Sequence, residues 1–367
     1  MQCAFRQQDV APTKLGLVSA YRLGVIGEET FSFRLRSVLE ALEKIPLFDE
    51  KLPNKVYDTR SLQMVDYANQ ADSRGIGWSA IDIARLMVPL NVIIWNYPEY
   101  GADIKRVVDR WDMHAMIQNG VMIGSRVDDL KNTELVQEGR IGYEEYAARA
   151  LALLGYDINI AAQYEDHLNF IEIEGIEIPI DNRDPHIYDA HNYVVSESYI
   201  LQGIEFGLDH LTEEFAYRVF LAQQNRYQRT QIPTAVSEDN IDRPPYFVYN
   251  TVFSDGKEWN AITDTGADAS AHRSVSTKAA FGWKHLFDTA YGDFVFDVIE
   301  PLHDPDKGWY SGLYEADRTP NKAITANTNA IILETLHYKQ FGPMISINDQ
   351  SKRNAEVFQF PYYEVYL

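Results

Sequence analysis

Apolar residues recur at helical spacing through most of this 367-residue chain, and this periodicity limits the possible folds more than any other feature. Apolar side chains at positions i, i+3, i+4 and i+7 lie along one face of a helix. Several of these segments are followed by glycine, which is common just after the last turn of a helix. The predicted helices span residues 13–24, 29–44, 79–95, 102–117, 143–154, 158–170, 197–207, 212–227, 276–289, 293–299 and 325–341.

The predicted helices differ in how much of their surface is apolar. Ser79–Trp95 is apolar on nearly every side, which is typical of a helix buried all round. Ala102–Ile117 has one charged face, which is typical of an outer helix. Helices that alternate in this way, as inner–outer hairpins, predict a mainly α fold of the (α/α)6 barrel type, a toroid of helical hairpins.

Two short segments carry strand signals instead. Asn169–Ile180 alternates apolar and acidic residues and predicts a β-hairpin insert. Tyr246–Phe253 predicts a further strand, which an Asp-Gly turn follows. Because no linker-like composition separates two halves, we predict one barrel domain over residues 1–345. The tail, residues 346–367, is expected to pack on the barrel or to be extended.

The charge and aromatic content of the chain narrow the class of ligand. The formal net charge is −21, which argues against nucleic acid, because phosphate contacts need a basic surface. The same charge disfavours anionic membranes and strongly anionic glycans. The 23 Tyr, 17 Phe and 6 Trp residues suit a large polar-walled cleft, although a big helical core also absorbs many rings. A neutral oligosaccharide or polysaccharide is therefore the expected partner.

The remaining composition predicts neither a metal nor a cofactor. The single cysteine, Cys3, rules out an intramolecular disulfide and a zinc site built on thiolates. The nine histidines have no metal-ligand spacing, and no phosphate-binding glycine loop is present. No apolar run is long enough to span a bilayer, and the N-terminal residues as given do not read as a signal peptide. This composition fits the cytosol and also the bacterial periplasm, and the oligomeric state cannot be inferred.

Four segments combine a carboxylate, an aromatic residue and a helix start. They read GIGWSAIDIAR, QEGRIGYEEYAAR, VVSESYILQG and TAVSEDN. In a helical toroid the loops into the inner helices gather at one mouth, so these acids are expected to converge on one cleft. Paired carboxylates there can perform acid–base chemistry on a glycosidic bond. The candidate acids are Asp82, Glu138, Glu197, Glu238 and Asp239.

Structural interpretations compete with each of these functional ones. Asp82 can simply pair with nearby Arg85. Glu197 suits the first turn of a helix whatever else it does. The Glu238–Asp239 pair also reads as a solvated turn before a core strand. Spacing alone leaves these alternatives open.

Five longer segments together resemble one bacterial family. They read GWSAIDIARL, EGRIGYEEYAARALALLG, AVSEDNIDRPPYFVYNTVF, STKAAFGW and ITANTNAIILETLHY. In this order, over about residues 9–342, they are similar to the family named domain of unknown function 3131, a group akin to glucoamylase-like proteins. The resemblance implies an (α/α)6 barrel, export to the periplasm or beyond, and hydrolysis of a glycan. Asp9 keeps an acid of the family's opening segment, whereas Gln8 stands where members often have tryptophan.

The leading hypothesis is therefore a glycoside hydrolase that cleaves a neutral polysaccharide, a bacterial glucan above all. Glu138 is predicted to be the general acid, because its loop position could raise its pKa by desolvation. Glu197 or Asp239 is predicted to be the base that activates water. By resemblance to other (α/α)6 hydrolases, we expect inversion of configuration. The predicted sugar-binding residues are Asp9, Asp82 and Glu238, with Trp78, Tyr143, Tyr246 and Trp309 as stacking platforms.

Two other classes of function remain open at this point. A non-catalytic protein that binds glycans, or that assists envelope or exopolysaccharide assembly, would use the same aromatic cleft. A lyase or epimerase acting on acidic sugars needs basic residues in the cleft, for which Arg85, Arg140 and Arg149 are available. The acidic balance of the chain argues against the second alternative.

Overall fold

Helices form most of the regular structure in each of two structural units. The computed structural model describes residues 4–188, 192–263 and 265–345. Within these, the first unit comprises residues 4–139, 143–164 and 345, and the second comprises residues 140–142 and 165–344. No helix in the described ranges is long and apolar enough to cross a membrane. The tail predicted for residues 346–367 lies outside the described residues, and the single domain stays a prediction.

The first unit contains five α-helices and three small antiparallel sheets among its described residues. The helices are α1 (Gln7–Arg22), α2 (Glu28–Lys44), α3 (Ala80–Asn96), α4 (Gly101–Val108) and α5 (Tyr143–Ala152). The strands are β1 (Ala4–Arg6), β2 (Leu47–Phe48), β3 (Leu52–Pro53), β4 (Val56–Asp58), β5 (Ile117–Gln118), β6 (Val121–Val127) and β7 (Thr133–Gln137). Strand β1 pairs with β4 and β2 with β3, while β5, β6 and β7 form one sheet.

The second unit contains the remaining helices and strands. Its helices are α6 (Pro185–Tyr188), α7 (Ser196–Leu201), α8 (His210–Thr230), α9 (Thr277–Leu286), α10 (Ala290–Ile299) and α11 (Ala326–Phe341), and a π-helical turn, Gln202–Phe206, extends α7. Its strands are β8 (Leu168–Ile173), β9 (Ile176–Asp181), β10 (Tyr193–Val194), β11 (Glu238–Asn240), β12 (Phe247–Asn250), β13 (Phe253–Ser254), β14 (Lys257–Glu258), β15 (Ala261–Ile262), β16 (Ser274–Ser276), β17 (His303–Asp304), β18 (Gly308–Trp309), β19 (Gly312–Tyr314) and β20 (Pro320–Asn321). They form short antiparallel sheets of two or three strands.

Helix α3 forms the apolar centre of the first unit. Every residue from 83 to 95 is buried, as its uniformly apolar sequence predicts. The helix packs against α1 and α5. Its start is capped by the Ser79 side chain, which accepts a hydrogen bond from Asp82 N and so satisfies one of the free amides of the first turn.

Backbone hydrogen bonds bring the starts of α7 and α9 to opposite sides of one segment in the second unit. Ser196 N, at the start of α7, donates to Val236 O at 3.2 Å. Ser276 N, just before α9, donates to Ala235 O at 2.7 Å. Because residues 235–236 lead directly into β11, the acids of β11 lie between the first turns of these two helices.

The start of α11 is linked to the starts of α7 and α9 by two further backbone hydrogen bonds. Thr277 N donates to Ser311 O at 2.9 Å, and Ser311 N donates to Ala323 O at 2.8 Å. Residue 323 lies three positions before α11 begins. Three helix N-termini, which carry partial positive charge, are therefore collected at one edge of the second unit.

One predicted helix, over residues 158–170, is wrong. Residues 158–162 make turns, and residues from Leu168 onward form strand β8. Ala161 N donates at 2.9 Å to Gly120 O in the turn before β6, so a long-range contact takes the place of the helical bond. Cross-strand pairing of β8 with β9 takes up the rest of the segment, and tertiary pairing of this kind overrides helix propensity.

The helix predicted for residues 102–117 is shorter than its periodicity indicates. It ends at Val108, and a 3₁₀ turn over Met113–Ala115 leads into strand β5. Ile117 pairs there with Met122. The hairpin that β6 and β7 form was not predicted from the sequence, because its mixed polar and apolar residues do not alternate cleanly. The other predicted helices are confirmed within about three residues at each end, except that α1 begins at Gln7, six residues before the predicted start.

The predicted hairpin insert is confirmed, whereas the strand predicted over Tyr246–Phe253 is divided into β12 and β13, which belong to different sheets. The hairpin of β8 and β9 turns at Glu174 and Gly175, which have φ values of 52° and 75°. Two consecutive positive φ angles are typical of the tight turn that matches the twist of a hairpin. Asp255 and Gly256 repeat this conformation between β13 and β14, with φ values of 49° and 77°.

We expect Gly77→Ala to destabilise the protein strongly. Gly77 has φ of 110°, and a Cβ at this position would meet Ser125 O at 2.2 Å. The strain and the clash together should lower the free energy of unfolding by roughly 2–4 kcal/mol. Gly24→Ala is the matched control, since Gly24 also has a positive φ of 72° but no heavy atom within 4 Å of the added carbon. Urea denaturation measures the free energy of unfolding of both variants. An equal loss in the two would contradict the close approach of Gly77 to Ser125 O.

Candidate functional site

One buried ammonium group faces two of the predicted acids in the second unit. Glu197 lies in the first turn of α7, Asp239 in β11 and Lys278 in the first turn of α9. Their exposed fractions are 2%, 1% and 3%. The Lys278 Nζ donates to Glu197 Oε2 and lies 3.8 Å from Asp239 Oδ1. The structure therefore brings Glu197 and Asp239 together, as predicted, around a cation that was not predicted.

Burial and the shared cation give these groups different protonation equilibria. Desolvation raises the pKa of Asp239 to about 7, with Glu197 and Glu238 adding to the rise, while Lys278 and Ser276 oppose it. Burial alone would lower the pKa of Lys278, but the charges of Glu197, Asp239 and Glu238 outweigh it and raise that pKa. Near neutral pH, Lys278 is thus charged and paired with Glu197, whereas Asp239 is close to its midpoint of ionisation.

Glu238 and Asp239 point to opposite faces of β11. Glu238 lies opposite Tyr249 in the ladder, and Asp239 lies opposite Val248; neighbouring strand residues alternate between faces. On the Glu238 face, Tyr249 stacks on Tyr193 with ring centroids 4.2 Å apart. One strand therefore places an acid beside aromatic rings and an adjacent acid beside Lys278.

The Glu238 face continues into a small depression with a mixed polar and apolar lining. The Arg140 guanidinium lies 4.4 Å from the centroid of the Tyr193 ring. Asp181, Asn192 and Phe253 line the depression together with these two residues. Burial raises the pKa of Tyr193 well above its ordinary value, with Tyr249 and Glu238 adding to the rise and Arg140 opposing it. The wall of this depression is therefore a neutral phenol beside a cation.

Buried polar atoms without a hydrogen-bond partner collect on the Asp239 face. They are both carboxyl oxygens of Asp239, both amide atoms of Asn250 and the hydroxyl of Ser237. The backbone joins them, because Asn250 N donates to Ser237 O at 3.1 Å. The Ser276 side chain is near enough to Asp239 to lower its pKa, but among the described residues no side chain meets full hydrogen-bond geometry at these atoms. Buried polar groups are nearly always satisfied in native proteins, so this face suits water or a hydroxyl-rich ligand.

Glu138 lies in the first unit and has a different environment. Its Oε2 accepts a hydrogen bond of 2.6 Å from Ala80 N at the start of α3. Its Oε1 lies 3.8 Å from the Lys55 ammonium. A helix N-terminus and a neighbouring cation both stabilise an ionised carboxylate. These contacts support the start of α3, and the general-acid role of Glu138 stays a prediction.

The predicted stacking residues differ widely in exposure. Trp78 is 2% exposed, packs against Phe48 and donates from Nε1 to a backbone carbonyl. Tyr143 is also buried, at the start of α5, whereas Tyr246 is 61% exposed. Trp309 is half-buried and meets Phe281 edge to face. Tyr246 and Trp309 thus leave more ring surface available than the other two, and their roles stay predictions.

Two predicted sugar-binding acids are not placed at the Lys278 cluster. Asp82 lies in the first turn of α3 in the first unit. Asp9 belongs to α1, but side chains before Thr13 lie outside the described part of the chain. Their roles also stay predictions.

Sequence reasoning missed Lys278 and Asn250. Lys278 could have been identified because it lies in the first turn of a predicted helix. The positive end of the helix dipole disfavours a cation there. Such a lysine requires a compensating anion, and Glu197 supplies it. Asn250 carries no comparable signal, because asparagine at the end of a strand is common before a turn.

We expect Asp239→Asn to change how stability depends on pH. The unfolded chain releases this proton near the ordinary pKa of 3.8, whereas the folded protein holds it to about 7. The wild type therefore loses stability as pH rises between these values, by up to roughly 1.4 kcal/mol per pH unit. The stability of the variant relative to wild type should rise from pH 4 to pH 7 and then level off.

Urea denaturation at pH 4–8 measures this difference. Glu258→Gln serves as the control, because Glu258 is exposed in β14 and should give a nearly constant difference. A flat difference for Asp239→Asn would contradict the raised pKa.

Solved structures share the fold of this chain at low sequence identity. A candidate glucoamylase from Bacteroides caccae superposes with a TM-score of 0.67 at 12% identity, over 95% of this chain and 87% of that one. An endo-β-1,2-glucanase from Chitinophaga pinensis, solved with sophorotriose and glucose, gives 0.66 at 12% identity over 95% and 86%. A mutant endo-β-1,2-glucanase from Talaromyces funiculosus, solved with β-1,2-glucan, gives 0.59 at 11% identity over 93% and 75%. The predicted fold class, mainly α of the (α/α)6 type with short β-hairpin inserts, is confirmed.

The family comparison covers nearly the same part of the chain as the resemblance found in the sequence. The model described as "Protein of unknown function (DUF3131)" matches residues 7–342. A search among curated proteins gives no match. Because the family model spans most of its length, this chain belongs to the DUF3131 family.

Proposed function

We propose that this protein is a glycoside hydrolase that cleaves a neutral glucan with Asp239 and Glu197. The observation that carries the proposal is the shared Lys278 ammonium, which contacts Glu197 and lies 3.8 Å from Asp239. A hydrolase of this kind needs one carboxyl group that holds a proton and another that is ionised. Burial favours the protonated form of Asp239, whose pKa is raised to about 7. The ion pair with Lys278 favours the ionised form of Glu197.

The proposed reaction involves two proton transfers, one from Asp239 to the leaving group and one from water to Glu197. Asp239 gives its proton to the glycosidic oxygen as the bond from that oxygen to the anomeric carbon breaks. A water molecule attacks the anomeric carbon, and Glu197 accepts the proton that the water releases.

Asp239 is a better proton donor in this proposal than Glu138, which the sequence favoured. Both carboxyl oxygens of Glu138 are engaged, one with the Ala80 amide and the other near the Lys55 ammonium. A general acid needs an oxygen that can meet the glycosidic oxygen and an environment that favours the neutral form. The Asp239 environment has that property, because desolvation is the largest influence on its pKa.

The substrate class follows from charge and from the folds that this chain shares. A net charge of −21 disfavours anionic glycans, whereas the exposed ring of Tyr246 can lie against the apolar face of a neutral sugar. Two of the solved structures that share the fold are endo-β-1,2-glucanases, so linear β-1,2-glucan is the first substrate to test. The family resemblance also supports action in the periplasm or outside the cell.

We expect the wild type to release oligosaccharides from at least one neutral glucan. Asp239→Asn and Glu197→Gln should each lower kcat by about 10²–10⁴-fold while retaining affinity for the glucan. Mass spectrometry of products from β-1,2-glucan and from glucans of other linkages measures the turnover, and calorimetry measures the affinity. Glu258→Gln, an exposed acid in β14, is the control and should keep full activity.

Three other outcomes would redirect the proposal. Binding of glucans by wild type without any product would favour the non-catalytic glycan-binding protein. Loss of turnover in Glu138→Gln, with Asp239→Asn unaffected, would return the proton-donor role to Glu138. Activity only on acidic sugars, lost with Arg140, would support the lyase or epimerase.

The anomeric configuration of the first product tests the role of Glu197. Glu197 Oε2 and Asp239 Oδ1 share one ammonium and lie at most about 6 Å apart, which is closer than the roughly 6.5–9.5 Å of inverting carboxyl pairs. A water-activating base produces inversion in one displacement, whereas a nucleophilic carboxylate would retain the configuration after two. Proton NMR of the anomeric signals in the first minutes of a reaction distinguishes them, before mutarotation mixes the anomers. A retained configuration would make Glu197 a nucleophile instead of a base.

A further inference from the structure

We infer that Lys278 is the positioning residue that makes Glu197 and Asp239 inequivalent, holding Glu197 as the ionised base and leaving Asp239 as the proton donor. The inference rests on the proposed function and deepens it, because Lys278 acts through these two residues and not on the substrate. The geometric evidence is that the buried Lys278 ammonium donates to Glu197 and lies 3.8 Å from Asp239.

Backbone hydrogen bonds just before Lys278 fix the start of α9, from which its side chain extends. Ser276 N is bound to Ala235 O, and Thr277 N is bound to Ser311 O. The Ser276 side chain also caps α9. Because Ala235 leads into β11, the same hydrogen bond sets the position of Asp239 relative to Lys278. The approach of the three charged groups is therefore built into the start of α9.

The charged groups that act on Lys278 come from two elements. Glu197 comes from α7, and Glu238 and Asp239 come from β11. Glu197 and Asp239 thus face one ammonium, and Glu238 acts on it from the other face of the strand, so the three carboxyl groups cannot all be ionised without excess negative charge. The strongest contact goes to Glu197, and the proton is retained by the more distant Asp239.

Other elements packed against α9 also carry buried titratable groups. Glu334 and His337 lie on α11, and Glu205 lies on the π-helical turn. Each takes part in interactions of its own. On α10, Asp293 pairs with Lys284 of α9. None of these is among the charges that act on Lys278.

The test measures kcat/KM against pH for three substitutions of Lys278. Lys278→Met and Lys278→Gln remove the cation, so Glu197 should take up a proton near neutral pH. We expect the acidic limb to shift upward by one pH unit or more, which lowers kcat/KM on that limb by about tenfold or more. Lys278→Arg keeps the cation and should keep the limb in place. Glutamine retains a hydrogen-bond donor, so it tests the charge even where methionine prevents folding.

Lys284→Met is the matched control, since Lys284 also lies on α9 and also pairs with an aspartate. It should leave the acidic limb unchanged. A purely structural Lys278 would lower stability and kcat in the neutral variants without moving that limb, and this result would overturn the inference.

A second readout separates this inference from the proposed function. Carbon-13 NMR of labelled carboxyl groups, assigned with Asp239→Asn and Glu197→Gln, follows the two titrations directly. The neutral Lys278 variants should raise the titration midpoint of Glu197 relative to wild type. If Asp239→Asn and Glu197→Gln keep wild-type turnover, the proposed function fails. If they lose turnover but the Glu197 midpoint does not move in the Lys278 variants, only the inference fails.

Discussion

The buried ammonium of Lys278 is the interaction on which the chemistry of this site depends. An ammonium and a carboxylate removed from water each lose hydration that only a close opposite charge restores. Lys278 and Glu197 restore it for each other through a direct hydrogen bond. Asp239, 3.8 Å from the same ammonium, receives less compensation, and its pKa accordingly rises to about 7. One cation thus produces two carboxyl groups with different properties.

The strand geometry of β11 adds a second distinction. Because neighbouring residues of a strand face opposite ways, Glu238 lies with the stacked rings of Tyr193 and Tyr249, while Asp239 faces Lys278. Two adjacent acids therefore have separate surroundings, one aromatic and one ionic. This arrangement suits a site in which one acid contacts sugar rings and the other handles a proton.

Helical periodicity predicted most of the helices because burial of an apolar face is a local property of the sequence. The uniformly apolar segment that became α3 is buried along its length, and the hairpin turn at Glu174 and Gly175 has the expected conformation. The helix predicted for residues 158–170 was wrong, because pairing of β8 with β9 and a bond to Gly120 depend on distant parts of the chain. Glu197, Glu238 and Asp239 were identified as candidates from their positions before helices and aromatic residues. Their common cation was not identified.

The sequence by itself determined the mainly helical fold class, the family and the acidic segments, since these follow from local patterning and from order along the chain. Only the tertiary structure decided which acids meet. Glu197 and Lys278 are 81 residues apart, and spacing cannot indicate that a lysine in one helix will face a glutamate in another. The protonation of Asp239 likewise depends on its burial and on charges from α7 and α9. Burial and long-range electrostatics arise only when distant segments pack together, so only the tertiary structure shows that the pKa of Asp239 is raised.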